Sequence, residues 1–151
     1  MSSLRLAAGA VLPDSAHVDA DALTHTEVRL PESHRSAALA REFTRTTLTG
    51  WGHQSWQDAA QVVSELVSNV LLHAHGQPVV RLVEVSTGIR VEVSDDSPRP
   101  PTVLRSGHRG LGMRLVERLS TAWGVSRRGR GKVVWCDLPA TPTPIPNPAP
   151  A

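Results

Sequence analysis

Glu65, Asn69 and His73 stand at i, i+4 and i+8 within a stretch of helical apolar periodicity, which puts all three on one helix face. That face borders the apolar stripe at the edge of the core. A carboxylate there can orient a water or accept a proton. An Asn amide one turn further offers an oxygen to a hard cation such as Mg2+, which takes oxygen ligands and keeps several of its waters. Spacing alone does not establish this chemistry. Three polar residues on a helix face are commonplace, and by that measure a solvated surface is the better-supported reading.

Two further groups have chemical potential. Asp95-Asp96-Ser97-Pro98 directly follows the apolar run Ile89–Val93. A carboxylate fixed at a strand end can accept a hydrogen bond from an exocyclic amine, which suits an adenine. An ordinary Asp/Ser/Pro turn has the same composition. Gly107-His108-Arg109-Gly110-Leu111-Gly112 opens a helical stretch. Glycines let backbone amides approach a phosphate, the helix start adds favourable partial charge, and Arg109 can supply a charged donor. A simple helix-initiating turn accounts for that segment equally well.

These groups need elements to hold them. Thr26–Leu30 alternates and predicts a short strand. Ser33 is placed to cap a helix from about His34 to Leu48, which Gly50-Trp51-Gly52 ends. The longest helix is expected over Trp56–His75. Its stripe is Ala59, Val62, Val63, Leu66, Val67, Val70, Leu71 and Ala74, with Gly76 in the C-cap region. Strands Val79–Ser86 and Ile89–Ser94 flank a Thr87-Gly88 turn. A Pro-rich loop starts at Asp95, and a third helix begins near Gly110 and carries Leu111, Leu115, Val116 and Leu119. Trp123–Ser126 and Val133–Leu138 form a last hairpin around the basic turn Arg127–Lys132. The expected fold class is α+β, a two-layer α/β sandwich whose mostly antiparallel sheet is covered on one face by about three helices.

The 151 residues divide into an expected flexible N-terminal tail (1–24), one folded domain (25–139) and a Pro-rich disordered tail (140–151) in which Pro alternates with small residues. A single Cys, Cys136, excludes an internal disulfide framework, and there is no Cys/His metal box. No apolar run approaches the roughly 20 residues of a membrane helix, and the N-terminal apolar patch is too short and broken for a signal peptide. A cytoplasmic location with no membrane partner is expected. Charge is unevenly spread. Residues 1–98 carry 7 Arg against 12 carboxylates, whereas residues 99–132 carry 9 Arg and Lys against Glu117 alone. Such a segment fits either a polyanion or acidic partner nearby or an arginine-rich solvated surface. Nucleic acid is disfavoured as that partner, because Trp123 and Trp135 sit in apolar strand contexts and leave little for base stacking.

The order of these segments resembles the Bergerat-fold ATPases, the superfamily of gyrase B subunits, heat-shock chaperones and sensor histidine kinases. ELVSNVLLHA (65–74) resembles the N-box, VEVSDDSPRPP (91–101) the first glycine-box region, RGLGMRLVERLSTAWG (109–124) the second, and GKVVWCDLP (131–139) the closing strand. The resemblance spans about residues 26–139 and is nearest to small single-domain bacterial ATP-binding proteins of the anti-sigma-factor serine/threonine kinase type. It implies ATP and Mg2+ as cofactors. Glu65 would be the general base, Asn69 would hold Mg2+ against the phosphates, and Asp95 would bind the adenine amine. Gly110, Leu111 and Gly112 would line the phosphates with Arg109 beside them, and His73 would border the site. Departures are Ser97 and Arg99 where the first glycine box has glycines, Val133 where a Thr often lies near the adenine, and a short interval from Asp95 to Gly110.

The function so implied is that of an ATP-binding transcription regulator, a protein kinase (a transferase) that phosphorylates or sequesters a sigma factor or an anti-sigma antagonist-like protein, with a homodimer as a further expectation. The alternative, motivated by Ser97 and Arg99, is a non-catalytic ATP-binding module acting through protein contacts.

Overall fold

Six strands and three helices make up the described residues, in the order β1 (Val11–Leu12), β2 (Ala22–Arg29), α1 (Ser36–Gly50), α2 (Trp56–His73), β3 (Val79–Val85), β4 (Gly88–Asp95), α3 (Leu111–Leu119), β5 (Ala122–Arg128) and β6 (Gly131–Pro139). The structure is a computed structural model and describes residues 11–12, 22–74, 76–96 and 111–141. Strands β5-β6-β4-β3-β2 form an antiparallel sheet in that order. β1 joins the β5 edge in parallel, with Val11 opposite Val125.

Side chains alternate across a strand, so each strand sends every second residue to the same face. Val80 and Leu82, then Ile89, Val91 and Val93, then Cys136 and Leu138 all pack into one cluster with residues of all three helices. The helices therefore lie together on one face, the two-layer α+β arrangement expected from the sequence. α2 supplies most of the helical side of the core. Ala59, Val62, Val63, Leu66, Val67 and Val70 are buried along it. Each fully buried Val contributes about 1.5–3 kcal/mol by leaving water. α1 buries the narrower stripe Ser36, Ala40, Thr44 and Leu48. Thr44 fits there because its hydroxyl donates to the Ala40 carbonyl at 2.8 Å.

Several boundaries differ from the sequence-based expectation. β2 begins at Ala22, inside the stretch read as a tail, because Ala22 and Thr24 already pair with Val85 and Glu84 of β3, with a register shift between them. Val11–Leu12 also lies in that stretch and is held by β5. The first helix starts at Ser36, not His34, and Arg35 is its N-cap residue. Ser33 Oγ instead accepts the Arg35 amide at 3.2 Å, and the Ser33 carbonyl accepts the Ser36 amide. α2 ends at His73, Ala74 is extended, and Gly76 takes φ +94°, a conformation that favours glycine. His75 lies outside the described residues. In the first hairpin the turn is Ser86-Thr87, since Gly88 already pairs with Val85. The basic turn shrinks to Gly129-Arg130, because Arg127 pairs with Lys132 and Arg128 with Gly131. Both tryptophans expected in the core are buried, but only Trp123 joins the helix-side cluster. Trp135 lies on the opposite face. Among the described residues no helix is long and apolar enough to cross a membrane.

Candidate functional site

Glu65 and Asn69 follow from the pattern of α2. The stripe that buries Leu66, Val67 and Val70 leaves both residues half-buried at its edge, one turn apart. Arg41 of α1 donates to Ser64 Oγ at 2.7 Å, which ties the two helices together beside Glu65. Asn69 Nδ2 contacts Met113 Sδ at 3.5 Å. Met113 belongs to the first turn of α3, so the start of that helix, with Leu111 and Gly112 in its backbone, sits beside Asn69. A thioether is a weak acceptor, and placing the amide nitrogen on it reserves the harder Oδ1 for another partner. His73 is exposed in the last turn of α2. Arg109 and Gly110, like Ser97 and Arg99, lie outside the described residues.

Asp95 is the last residue of β4 and is 6% exposed. It shares the strand face of Ile89, Val91 and Val93, so its carboxylate points to the helix side of the sheet. The antiparallel register of β4 with β6 puts Lys132 directly opposite it. Lys132 Nζ donates to Asp95 Oδ1 at 3.0 Å and lies 2.8 Å from Oδ2, with the two side chains 10% and 2% exposed. A buried ion pair of this kind offsets its own desolvation only with good geometry, which the double contact supplies. The backbone is equally close. A Cβ on Gly131 would fall 1.8 Å from the Asp95 carbonyl oxygen, so only glycine fits there. The loop after α2 reaches the same end of the sheet, where a Cβ on Gly76 would meet Asp96 Oδ2 at 3.1 Å. The C-terminal half of α2, the start of α3 and the end of β4 thus converge at one end of the molecule.

The sequence reading placed Val133 at the position near the adenine. In the structure Val133 pairs with Ser94 and Ser126 on the face away from the helices, and Lys132 is the β6 residue beside Asp95. The run of basic residues hides Lys132 in the turn expected over Arg127–Lys132. Two signals identify it: it is the single lysine in the chain, and counting back by twos from Leu138, Cys136 and Val134 puts it on the core face.

A cleft of about 240 Å³ reaches Asp95 and Asp96 from elsewhere. It is lined also by Glu27, Arg29, Gln77, Val79, Ser94 and Arg128, whose strand members point away from the helices. Drug-sized ligands occupy roughly 300–1,000 Å³, so this cleft is undersized for a nucleotide and on the wrong side of the sheet for Glu65 and Asn69. Among the described residues no three His, Cys, Asp or Glu side chains are grouped to hold a metal. A hard cation here would rely on Asn69 Oδ1 with ligand oxygens and water, the small protein contribution typical of Mg2+.

Residues 30–137 match the histidine kinase-like ATPase domain family. Among solved structures, the crystal structure of the RsbU and RsbW domains of Rv1364c from Mycobacterium tuberculosis has a similar fold, with a TM-score of 0.58 and 18% sequence identity. The alignment covers 80% of this chain and 35% of that one, so this chain spans about a third of that protein's length. None of the curated proteins compared with it matches by sequence.

Proposed function

The chain belongs to the histidine kinase-like ATPase domain family, and from that premise we propose that it is an ATP-dependent serine/threonine protein kinase of the anti-sigma-factor type. The observation that carries this reading is the meeting of α2 with α3 at Asn69 and Met113, one turn beyond Glu65 and at the same end of the sheet as Asp95.

Asp95 would face the purine base, and the backbone amides at the start of α3 would approach the phosphates, where the helix end favours negative charge. Arg109 and Gly110 would extend that contact, with His73 at the rim. Asn69 would hold Mg2+, which when bound neutralises charge on the phosphate oxygens. Glu65 would take the proton from a Ser or Thr hydroxyl on the acceptor protein. The hydroxyl oxygen then bonds to the γ-phosphorus, the bond from that phosphorus to the bridging oxygen breaks, and ADP leaves. The partner would be a sigma factor or an anti-sigma antagonist-like protein, in keeping with the RsbW domain of the fold neighbour, and the kinase would work in the cytoplasm as a homodimer.

The test is incubation with labelled ATP, Mg2+ and a candidate acidic antagonist domain. Glu65→Ala should lower transfer by about 10²- to 10⁴-fold, the usual contribution of a positioned base, while ATP still binds. Equal transfer by both proteins would remove Glu65 from its role. The non-catalytic reading is favoured by one observation, the engagement of Asp95 by Lys132. Calorimetry decides between them: tight ATP binding with neither hydrolysis nor transfer would establish a binding module.

A further inference from the structure

We propose that the cleft on the sheet face away from the helices is a second binding site, which takes a small zwitterion of the free amino acid type. It stands independently of the nucleotide reading, because it lies across the sheet from Glu65 and Asn69.

The cleft follows from the strand registers. Arg29, Val79, Ser94 and Val133 lie side by side across β2, β3, β4 and β6. Within this row Val79 and Ser94 are short, and they form the floor. Arg29 walls the β2 side. Glu27, two residues back on the same strand, closes the end nearer the middle of the sheet, where Arg81 and Glu92 are already paired at 3.2 Å. Gln77 and Asp96 stand at the other end. Arg128 of β5 lines the cleft from the far side, and its partner on β6 is Gly131, which carries no side chain to block the way. The Asp95 carboxylate belongs to the helix side, where Lys132 holds it.

Two guanidinium groups and two carboxylates thus surround a space of about 240 Å³. Among the described residues Glu27, Arg29 and Asp96 form no ion pair, and Arg128 comes no nearer to a carboxylate than 3.9 Å, at Glu92. A simple anion drawn to the arginines would meet Glu27 and Asp96, and a simple cation would meet Arg29 and Arg128. In each case repulsion offsets the attraction. A molecule carrying both signs is attracted by all four groups. Its carboxylate can accept two parallel bonds from a guanidinium, and its ammonium has three protons for Glu27 or Asp96. The Ser94 hydroxyl and Gln77 amide both donate and accept, so they can serve either end. The space falls below the roughly 300–1,000 Å³ of drug-sized ligands, and Val79 is the one apolar residue of the lining. The ligand is therefore compact, with a small side chain such as that of alanine.

The experiment is a backbone-amide NMR titration of the isotope-labelled full chain near neutral pH, without nucleotide, using L-alanine, acetate and ethylammonium. L-Alanine should shift the amides of Val79, Ser94 and Asp96 saturably in about the millimolar range, since exposed charge pairs are individually weak. Acetate and ethylammonium each carry one of its two charges and should bind at least about tenfold more weakly. Arg29→Gln and Asp96→Asn, both at exposed positions, should each weaken L-alanine binding about fivefold or more. If a variant does not fold, the three ligands on the unaltered protein decide the matter. No saturation by about 100 mM L-alanine, roughly a hundredfold above the expected range, would overturn the proposal. So would acetate or ethylammonium binding as tightly as L-alanine, which would make the cleft a site for one sign of charge, or shifts confined to other parts of the sheet. None of these outcomes bears on the kinase reading, which ATP binding and transfer test separately.

Discussion

The two faces of the sheet are built from alternate residues of the same strands, yet they handle charge differently. The helix side is apolar along β4 and β6 until its last register position, where Asp95 meets Lys132, and β3 adds Glu84 at the other end, bonded to His53 of the turn between α1 and α2. The opposite face is charged throughout its middle. Arg81 contacts Glu92 at 3.2 Å, Arg128 lies 3.9 Å from the same carboxylate, and Arg90 holds Asp137 through two bonds at 2.7 and 2.9 Å. Arg90 also lies 4.8 Å from the centre of the Trp135 ring, which stacks where Gly124 leaves room for it. On that face, ion pairs and a cation–π contact stand in for a second layer of helices. On the helix side an ion pair has no packing role that an apolar pair would not fill better.

The comparison yields an ordered set of expectations. Asp95→Ala leaves the Lys132 ammonium in a site where it is 8% exposed, and breaking a buried pair from one side costs about 3–5 kcal/mol. Urea unfolding measures this directly. Arg90→Ala removes the contacts to Asp137 and Trp135, and the partial exposure of Arg90 and Asp137 moderates the loss to about 1–2 kcal/mol. If the two variants lost equal stability, the contrast between the faces would collapse. The smallest effect concerns Cys136, buried on the helix side. Burial pushes its thiol well above the ordinary range, and the neighbouring Asp137 charge adds to this. The folded state therefore favours the neutral thiol. Its contribution to stability is complete below the unfolded pKa of about 8.5 and is lost as pH rises above it. A thiol reagent at pH 8 should label the folded protein very slowly and the denatured protein at once. Rapid labelling of the native chain would place Cys136 outside the core.

How much of this was readable beforehand follows from the range of the forces involved. α2 was legible because its apolar stripe is long and strictly periodic, and Asp95 because it ends an apolar strand. The first part of β2 was not, since Thr24 and His25 look polar until β3 supplies their partners. β1 has two residues and exists only by pairing with a strand more than a hundred positions away, which no local pattern can reveal. Lys132 failed for a different reason. Its neighbours Arg127, Arg128 and Arg130 made a run of like charges, and a run conceals which member the strand period turns inward.

The sheet's order has one more consequence. With β1 laid along β5, the outer strand at the other side is β2, whose far rim of backbone amides and carbonyls has no neighbouring strand among the described residues. Such a rim is a template for self-association into larger sheets. β2 counters this with His25, Glu27 and Arg29 alternating along it, all exposed, as charged edge strands commonly do. Resistance to aggregation in this protein is therefore set by three side chains far from the residues that would do chemistry.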